Sequence, residues 1–134
     1  MENTIAKILE KARSLRGTPY RTGGMDEKGI DCSGLTSLAF STVGIKLPRI
    51  SADQSKVGDK IAPDQVKPGD LVFFTNRPKG SRITHVGIVS HIDQNGRATF
   101  IHASSSRGVR EDLLGSTYWQ SVFVAAVRPK PLLG

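Results

Sequence analysis

Apolar residues change their period partway along the chain, and that change restricts the folds open to it. Between Thr4 and Arg16, residues Ile5, Ile8, Leu9, Ala12 and Leu15 recur at helical spacing, with Gly17 as a stop. From Cys32 to Val43, Leu35, Leu38, Ala39 and Val43 do the same, with Asp31 at the N-cap position and Gly44 at the end. From residue 71 onward the apolar runs are short and rich in β-branched and aromatic residues. LVFFT (71–75), HVGIVSHI (85–92), RATFIHAS (97–104) and SVFVAAVRP (121–129) read as strands, and Asn95-Gly96 marks a hairpin turn over 93–96. The stretch 46–70 carries three prolines and reads as turns with one short helix near Ser51 to Val57. Helices followed by strands give an α+β class, with N-terminal helices packed on an antiparallel sheet. A length of 134 residues fits a single domain spanning 1–134.

Composition narrows the function classes. With 37% hydrophobic and 23% charged residues the chain can build a core, yet it has no run near the roughly 18–20 apolar residues a membrane span needs. The opening MENTIAKILEKARSLRG lacks the basic start, apolar block and small-residue cleavage site of an export leader. The expectation is an envelope protein if a leader was removed, and a cytoplasmic one if there is none. The formal charge of +7 favours anionic surroundings. Its lysines and arginines are scattered, without interleaved aromatics, which argues against nucleic acid as a partner. A monomer is the default expectation.

Cys32 is the only cysteine, so no internal disulfide framework exists. In the first turn of a helix, a thiol feels unpaired backbone N–H groups and the positive end of the helix dipole, which favour the thiolate. A lone cysteine can equally be a small buried hydrophobe, so a base has to be found. The proposed hairpin sets His85 opposite Ser104 and His102 opposite Gly87, which makes the two histidines diagonal neighbours on one face. His91 falls about 20 Å away along the strand and reads as a surface histidine. Cys32, His85 and His102 thus fit a nucleophile, a base and a third group that orients the base. A zinc site is the competing reading, but there is no second cysteine and no histidine pair at a ligand spacing. No metal or organic cofactor is expected.

Six pieces, GTPYRTGG (17–24), DCSGL (31–35), LPRISADQ (47–54), PGDLVFF (68–74), THVGIV (84–89) and FIHAS (100–104), are similar in sequence and order to those of the NlpC/p60 family of bacterial cell-wall cysteine peptidases. The resemblance implies a papain-like fold, with Cys32 as nucleophile, His85 as general base and His102 as third triad member. It implies that Tyr20 lines the site and helps hold the oxyanion, and that Asp31 and Ser33 bind a free amine of the substrate. Arg49 and Ser51 would border the cleft. The implied partner is peptidoglycan or its stem-peptide fragments, cut at the γ-D-glutamyl bond to diaminopimelate or L-lysine. Another amidase or acyltransferase on the same fold, or a wall-binding module without catalysis, is the alternative. Permuted relatives place a histidine ahead of the cysteine, and here none precedes Cys32.

Overall fold

The computed structural model describes residues 2–132. Helix α1 (Glu2–Ser14) leads through an irregular stretch to a minimal hairpin, β1 (Met25–Asp26) and β2 (Gly29–Ile30), and then to α2 (Cys32–Ser41). After a one-turn helix α3 (Ser51–Gln54) come β3 (Gly58–Ile61), β4 (Leu71–Phe74), β5 (His85–Ile92), β6 (Ala98–Ser104) and β7 (Gly108–Leu113). A short α4 (Thr117–Val122) precedes β8 (Phe123–Pro129). The main sheet has the order β3-β8-β4-β5-β6-β7, antiparallel throughout. This is the expected α+β arrangement. No helix among the described residues is long and apolar enough to cross a membrane.

Strand alternation divides the core between the two faces of the sheet. Leu71, Phe73, Val86, Ile88, Ile101 and Ala103 face the apolar stripes of α1 and α2, where Ile8, Ala12, Leu35, Ala39 and Phe40 are fully buried. Val72, Phe74, Val89 and Phe100, one residue out of phase, face Leu114, Val122 and Trp119 around α4. Both histidines of interest belong to this second phase.

The two helical segments and the strands at 71, 85 and 98 lie where the sequence places them, within a few residues. The helix near Ser51 stops at Gln54 rather than Val57. The expected strand at 121–129 begins at Phe123, because Ser116 caps a helix turn that takes up Ser121 and Val122. β3 and β7 were not foreseen: neither GDKI nor GVREDL has an apolar run to announce it.

The β5–β6 hairpin departs from expectation in a compensating way. Its loop runs over 93–97, one residue longer than a 93–96 turn, so Ile92 pairs with Ala98 and His91 with Thr99. A bulge at Ser90 absorbs the extra residue, and Val89–Phe100 and Ile88–Ile101 pair in the expected frame. The bulge is fastened on both sides: Arg13 donates to the Ser90 carbonyl at 2.9 Å, and the Ser90 hydroxyl donates to Glu111 at 2.7 Å. Beyond the bulge the histidines keep their intended relation.

Candidate active site

Asp31 starts α2 in extended conformation, and its Oδ1 accepts the Gly34 N–H at 2.7 Å. This caps the helix and sets Cys32 in its first turn. A side chain on Gly34 would run into the Gly24 carbonyl and the Asp31 carboxylate, so glycine there lets the loop 17–30 close over the helix start. Asp31 Oδ2 accepts from Gly23 N–H at 2.9 Å and from Arg49 Nη2 at 3.0 Å, while Arg49 Nη1 donates to Ser33 Oγ at 2.7 Å. Asp31, Ser33 and Arg49 are therefore brought together. The arginine pulls the Asp31 carboxyl below its ordinary range, helped by the Gly34 and Gly23 N–H groups, and together these outweigh the opposing effect of burial.

Ser51 does not join them. It is buried in the first turn of α3 and does not line the cleft. The working residue of that turn is Gln54, which is fully buried. Its amide donates to the carbonyls of Pro48 and Ser33 and to Ser37 Oγ, at 2.8, 3.2 and 3.1 Å, and its Oε1 accepts from Thr36 at 2.6 Å. Gln54 thus ties the Arg49 segment to the helix that carries the thiol.

The Cys32 thiol, 7% exposed, rests against the start of β5, with Sγ 4.0 Å from the Thr84 carbonyl and the Val86 N–H directed at the sulfur. His85 lies between those two residues. Its Nε2 is 2.8 Å from His102 Nδ1, and His102 Nε2 is 2.7 Å from Asp112 Oδ2. Asp112 can only accept, so His102 Nε2 carries hydrogen and its Nδ1 accepts from His85 Nε2–H. His85 Nδ1 then keeps a free lone pair. The chain of bonds thereby selects the tautomer in which the remaining ring nitrogen of His85 is a base. Gly87 makes the close ring packing possible: a side chain there would meet the Phe100 ring at 2.7 Å and His102 Cβ at 3.1 Å. Trp119 stacks on His85, with ring centroids 5.7 Å apart.

The helix start does not lower the thiol pKa as expected. Burial dominates and pushes Cys32 up, against the backbone N–H groups of Val86, Ser33 and Cys32 itself. Burial also pushes His85 down to about 3, with His102 adding to it. His102 is likewise lowered by burial, opposed by its bond to Asp112. A thiolate and an imidazolium formed together would attract one another. Tyr20 is raised, chiefly by burial, and its phenol stays a hydrogen-bond donor.

A cavity of about 570 Å³ opens over His85 and His102. Tyr20, Thr84, Ser104, Arg107, Arg110, Asp112, Tyr118 and Trp119 are among the residues that line it. Asp112, Arg110 and Trp119 had no place among the expected site residues. The signal for the first two was an alternation in GVREDL that sets Arg110 and Asp112 on one face; for Trp119 it was only that it is the sole tryptophan.

Comparison with known proteins agrees with this architecture. The NlpC/P60 family model matches residues 17–128. The chain is 42% identical over 125 residues to the protein of Escherichia coli named "Probable endopeptidase NlpC", covering 92% of this chain and 77% of that one. It is 40% identical over 116 residues to the "Gamma-DL-glutamyl hydrolase" of Bacillus subtilis, covering 85% of this chain but 27% of that protein. A crystal structure from Staphylococcus aureus, described as similar to lipoprotein of the NLP/P60 family, superposes with a TM-score of 0.81 at 32% identity, over 96% of this chain and 42% of that one. The chain belongs to the NlpC/P60 family.

Proposed function

We propose that the chain is a cysteine peptidase that hydrolyses amide bonds in peptidoglycan stem peptides, at the γ-D-glutamyl link to diaminopimelate or L-lysine. The observation that carries this reading is the bonded series Asp112–His102–His85, which leaves a basic nitrogen beside the strand segment that holds the Cys32 thiol. The names of the relatives, endopeptidase and glutamyl hydrolase, support the reaction and the substrate.

In the first half-reaction the thiol proton passes to His85 Nδ1 as sulfur bonds to the amide carbon. Tyr20 and the backbone N–H of Cys32 donate to the developing oxyanion, each such donor being worth about 3 kcal/mol. The imidazolium then protonates the leaving nitrogen, and the carbon–nitrogen bond breaks to leave a thioester. Water, deprotonated by the same nitrogen, attacks the thioester, and sulfur departs and regains its proton. Cys32, His85 and His102 take the triad roles.

Asp31 and Ser33, expected to receive a free amine, already hold Arg49; of the roughly four acceptor positions on the carboxylate, Gly34, Gly23 and Arg49 use three. An amine has at most one left. The wall is an anionic partner, which the net charge of +7 suits, and the cell envelope is the place where it is met.

The test is mass spectrometry of purified stem peptides incubated with the wild type and with Cys32→Ala. Cleavage after D-glutamate by the wild type alone is the expected result. Intact peptides throughout would sink the peptidase reading and leave a wall-binding module or an amidase of other substrates.

A further inference from the structure

The two histidines sit in a box of aromatic rings that no step of the proposed reaction uses. Phe100 stacks on His102 with ring centroids 4.6 Å apart and 26° between the planes, and Phe74 lies 6.0 Å from His85, tilted by 44°. Both phenylalanines are fully buried. Trp119 closes the box from the cavity side. Its indole stacks on His85 at 5.7 Å and 20°, meets His102 edge-on at 4.9 Å and 77°, and packs on Phe74 and Phe100 at 4.8 and 5.1 Å.

The chain spends several bonds on holding that indole in place. A helix of six residues is too short to persist by itself. Ser116 caps α4 by accepting the Trp119 N–H at 3.5 Å, and Gln120 Nε2 donates to the Leu114 carbonyl at 2.8 Å. At the other end the Thr75 N–H donates to the Val122 carbonyl at 2.8 Å, which ties α4 to the residue that follows β4.

The titratable groups around His85 come from other elements. The Cys32 thiol on α2 rests against Thr84 and Val86 on either side of it, and His102 on β6 bonds to its Nε2. Asp112 and Arg110 on β7 stand behind His102, paired with each other at 2.9 Å, and the Tyr20 phenol lines the same cavity. Among the described residues no carboxylate bonds to His85. An imidazolium there is opposed by burial, and its nearest acid is one ring away and shared with an arginine. The face of the ring carries the indole, whose π-electrons attract a cation, tryptophan most strongly of the aromatic residues and more so where water is excluded. Resting on the peptidase reading above, we infer that Trp119 is a positioning residue, whose indole laid on His85 stabilises the imidazolium formed when the Cys32 proton is transferred, and so raises the reactivity of the thiol at neutral pH. Sγ keeps the electron pair, His85 Nδ1 gains the proton, and the indole exchanges no bond. Neutral His85 gains only packing from the same ring, so the attraction favours one of the two protonation states.

The experiment follows alkylation of the full chain by iodoacetamide, a neutral reagent, from pH 5 to pH 10. Cys32 is the only cysteine, so the mass gain reads one thiol. Wild type, Trp119→Phe and Trp119→Leu are compared. At pH 7 Trp119→Leu is expected to react about 10-fold more slowly than the wild type, and Trp119→Phe about three-fold. Near pH 10, where hydroxide removes the thiol proton and His85 is neutral, the three rates are expected to agree within about two-fold. A ring that only packed, or only governed access to the sulfur, would change the rate equally at every pH. Such a uniform change, or no change at pH 7, overturns the inference. Should Trp119→Leu fail to fold, Trp119→Phe, which keeps a ring on Phe74 and Phe100, decides by the same comparison. Stem-peptide cleavage by the wild type is followed in parallel. Intact peptides with the expected pH profile remove the peptidase reading and uphold the indole–imidazolium contact. Cleaved peptides with profiles that do not diverge at pH 7 keep the peptidase reading and overturn the inference.

Discussion

Asp31 and Asp112 are each clamped by an arginine, 3.0 and 2.9 Å away, the first at the start of the helix that carries Cys32 and the second on the histidine bonded to His85. Asp31 turns its other oxygen to backbone, capping the helix that presents Cys32. Asp112 turns its other oxygen to a ring nitrogen, and through His102 decides where the proton of His85 sits. The same side chain thus does mechanical work on one side and protonic work on the other. Replacing the two should therefore fail in different observables, one in stability and one in turnover.

The largest effect is expected at Asp112→Asn. A carboxamide can turn its NH2 towards His102 Nε2, which reverses the hydrogen direction along the chain and leaves His85 Nδ1 carrying hydrogen instead of a lone pair. The fold has little reason to change, because the side chain keeps its size. kcat should fall by about 10²- to 10⁴-fold with KM little altered, by analogy with other triads that lose their orienting carboxylate. A drop confined to KM, or a melting temperature lowered as much as the rate, would reduce Asp112 to a structural residue.

Next in size is the acid sensitivity stored in the histidine pair. His85 titrates at about 3 in the fold against 6.5 when unfolded, so below pH 6.5 the unfolded chain binds the proton first and stability falls as pH drops. Between pH 7 and pH 5 the loss from His85 is about 2 kcal/mol, and His102, also lowered, acts in the same direction. Urea melts at the two pH values measure the loss. His85→Gln should flatten that dependence, and an unchanged slope in the variant would place the acid sensitivity elsewhere. The same variant should slow alkylation of Cys32 at pH 7 by about 100-fold if the thiol depends on this imidazole to lose its proton.

How much of this was legible depended on whether a residue announces itself by local pattern. The Cys32 helix showed in its cap and apolar stripe, and the His85–His102 relation in a two-residue period. That relation survived a wrong turn length only because the Ser90 bulge cancelled it, and a bulge depends on the tertiary contacts of Arg13 and Glu111, which no local window contains. Asp112 was missed because β7 is a polar strand at the sheet edge, GVREDL, in which Arg110 and Asp112 share one face in place of a hydrophobic run. The thiol pKa was misjudged because helix position is visible in sequence and burial is not. Arg49 was singled out in the sequence, but its attachment to Asp31 joins segments 18 positions apart.

The smallest effect sharpens the contrast with Asp112. Asp31→Asn keeps an oxygen for the Gly34 N–H, since asparagine caps helices about as well as aspartate. It gives up the ion pair with Arg49, whose side chain is 38% exposed, so solvent already weakens that pair. The stability loss should stay below about 1 kcal/mol. Asp31→Ala removes the cap as well, orphans the Gly23 and Gly34 N–H groups, and should cost about 1–2 kcal/mol. The sign with pH differs from that of the histidines only in its window. A carboxyl held below 3.8 contributes stability that is whole above 3.8 and lost as pH falls through its folded value. Wild type and Asp31→Asn should therefore converge at pH 2 to 3 and separate at pH 6, in parallel urea melts. A constant gap across that range would mean that Asp31 acts through shape alone. An Asp31→Asn enzyme whose turnover fell as far as that of Asp112→Asn would erase the distinction between the two carboxylates, because its cap, and with it the placing of Cys32, would still be intact.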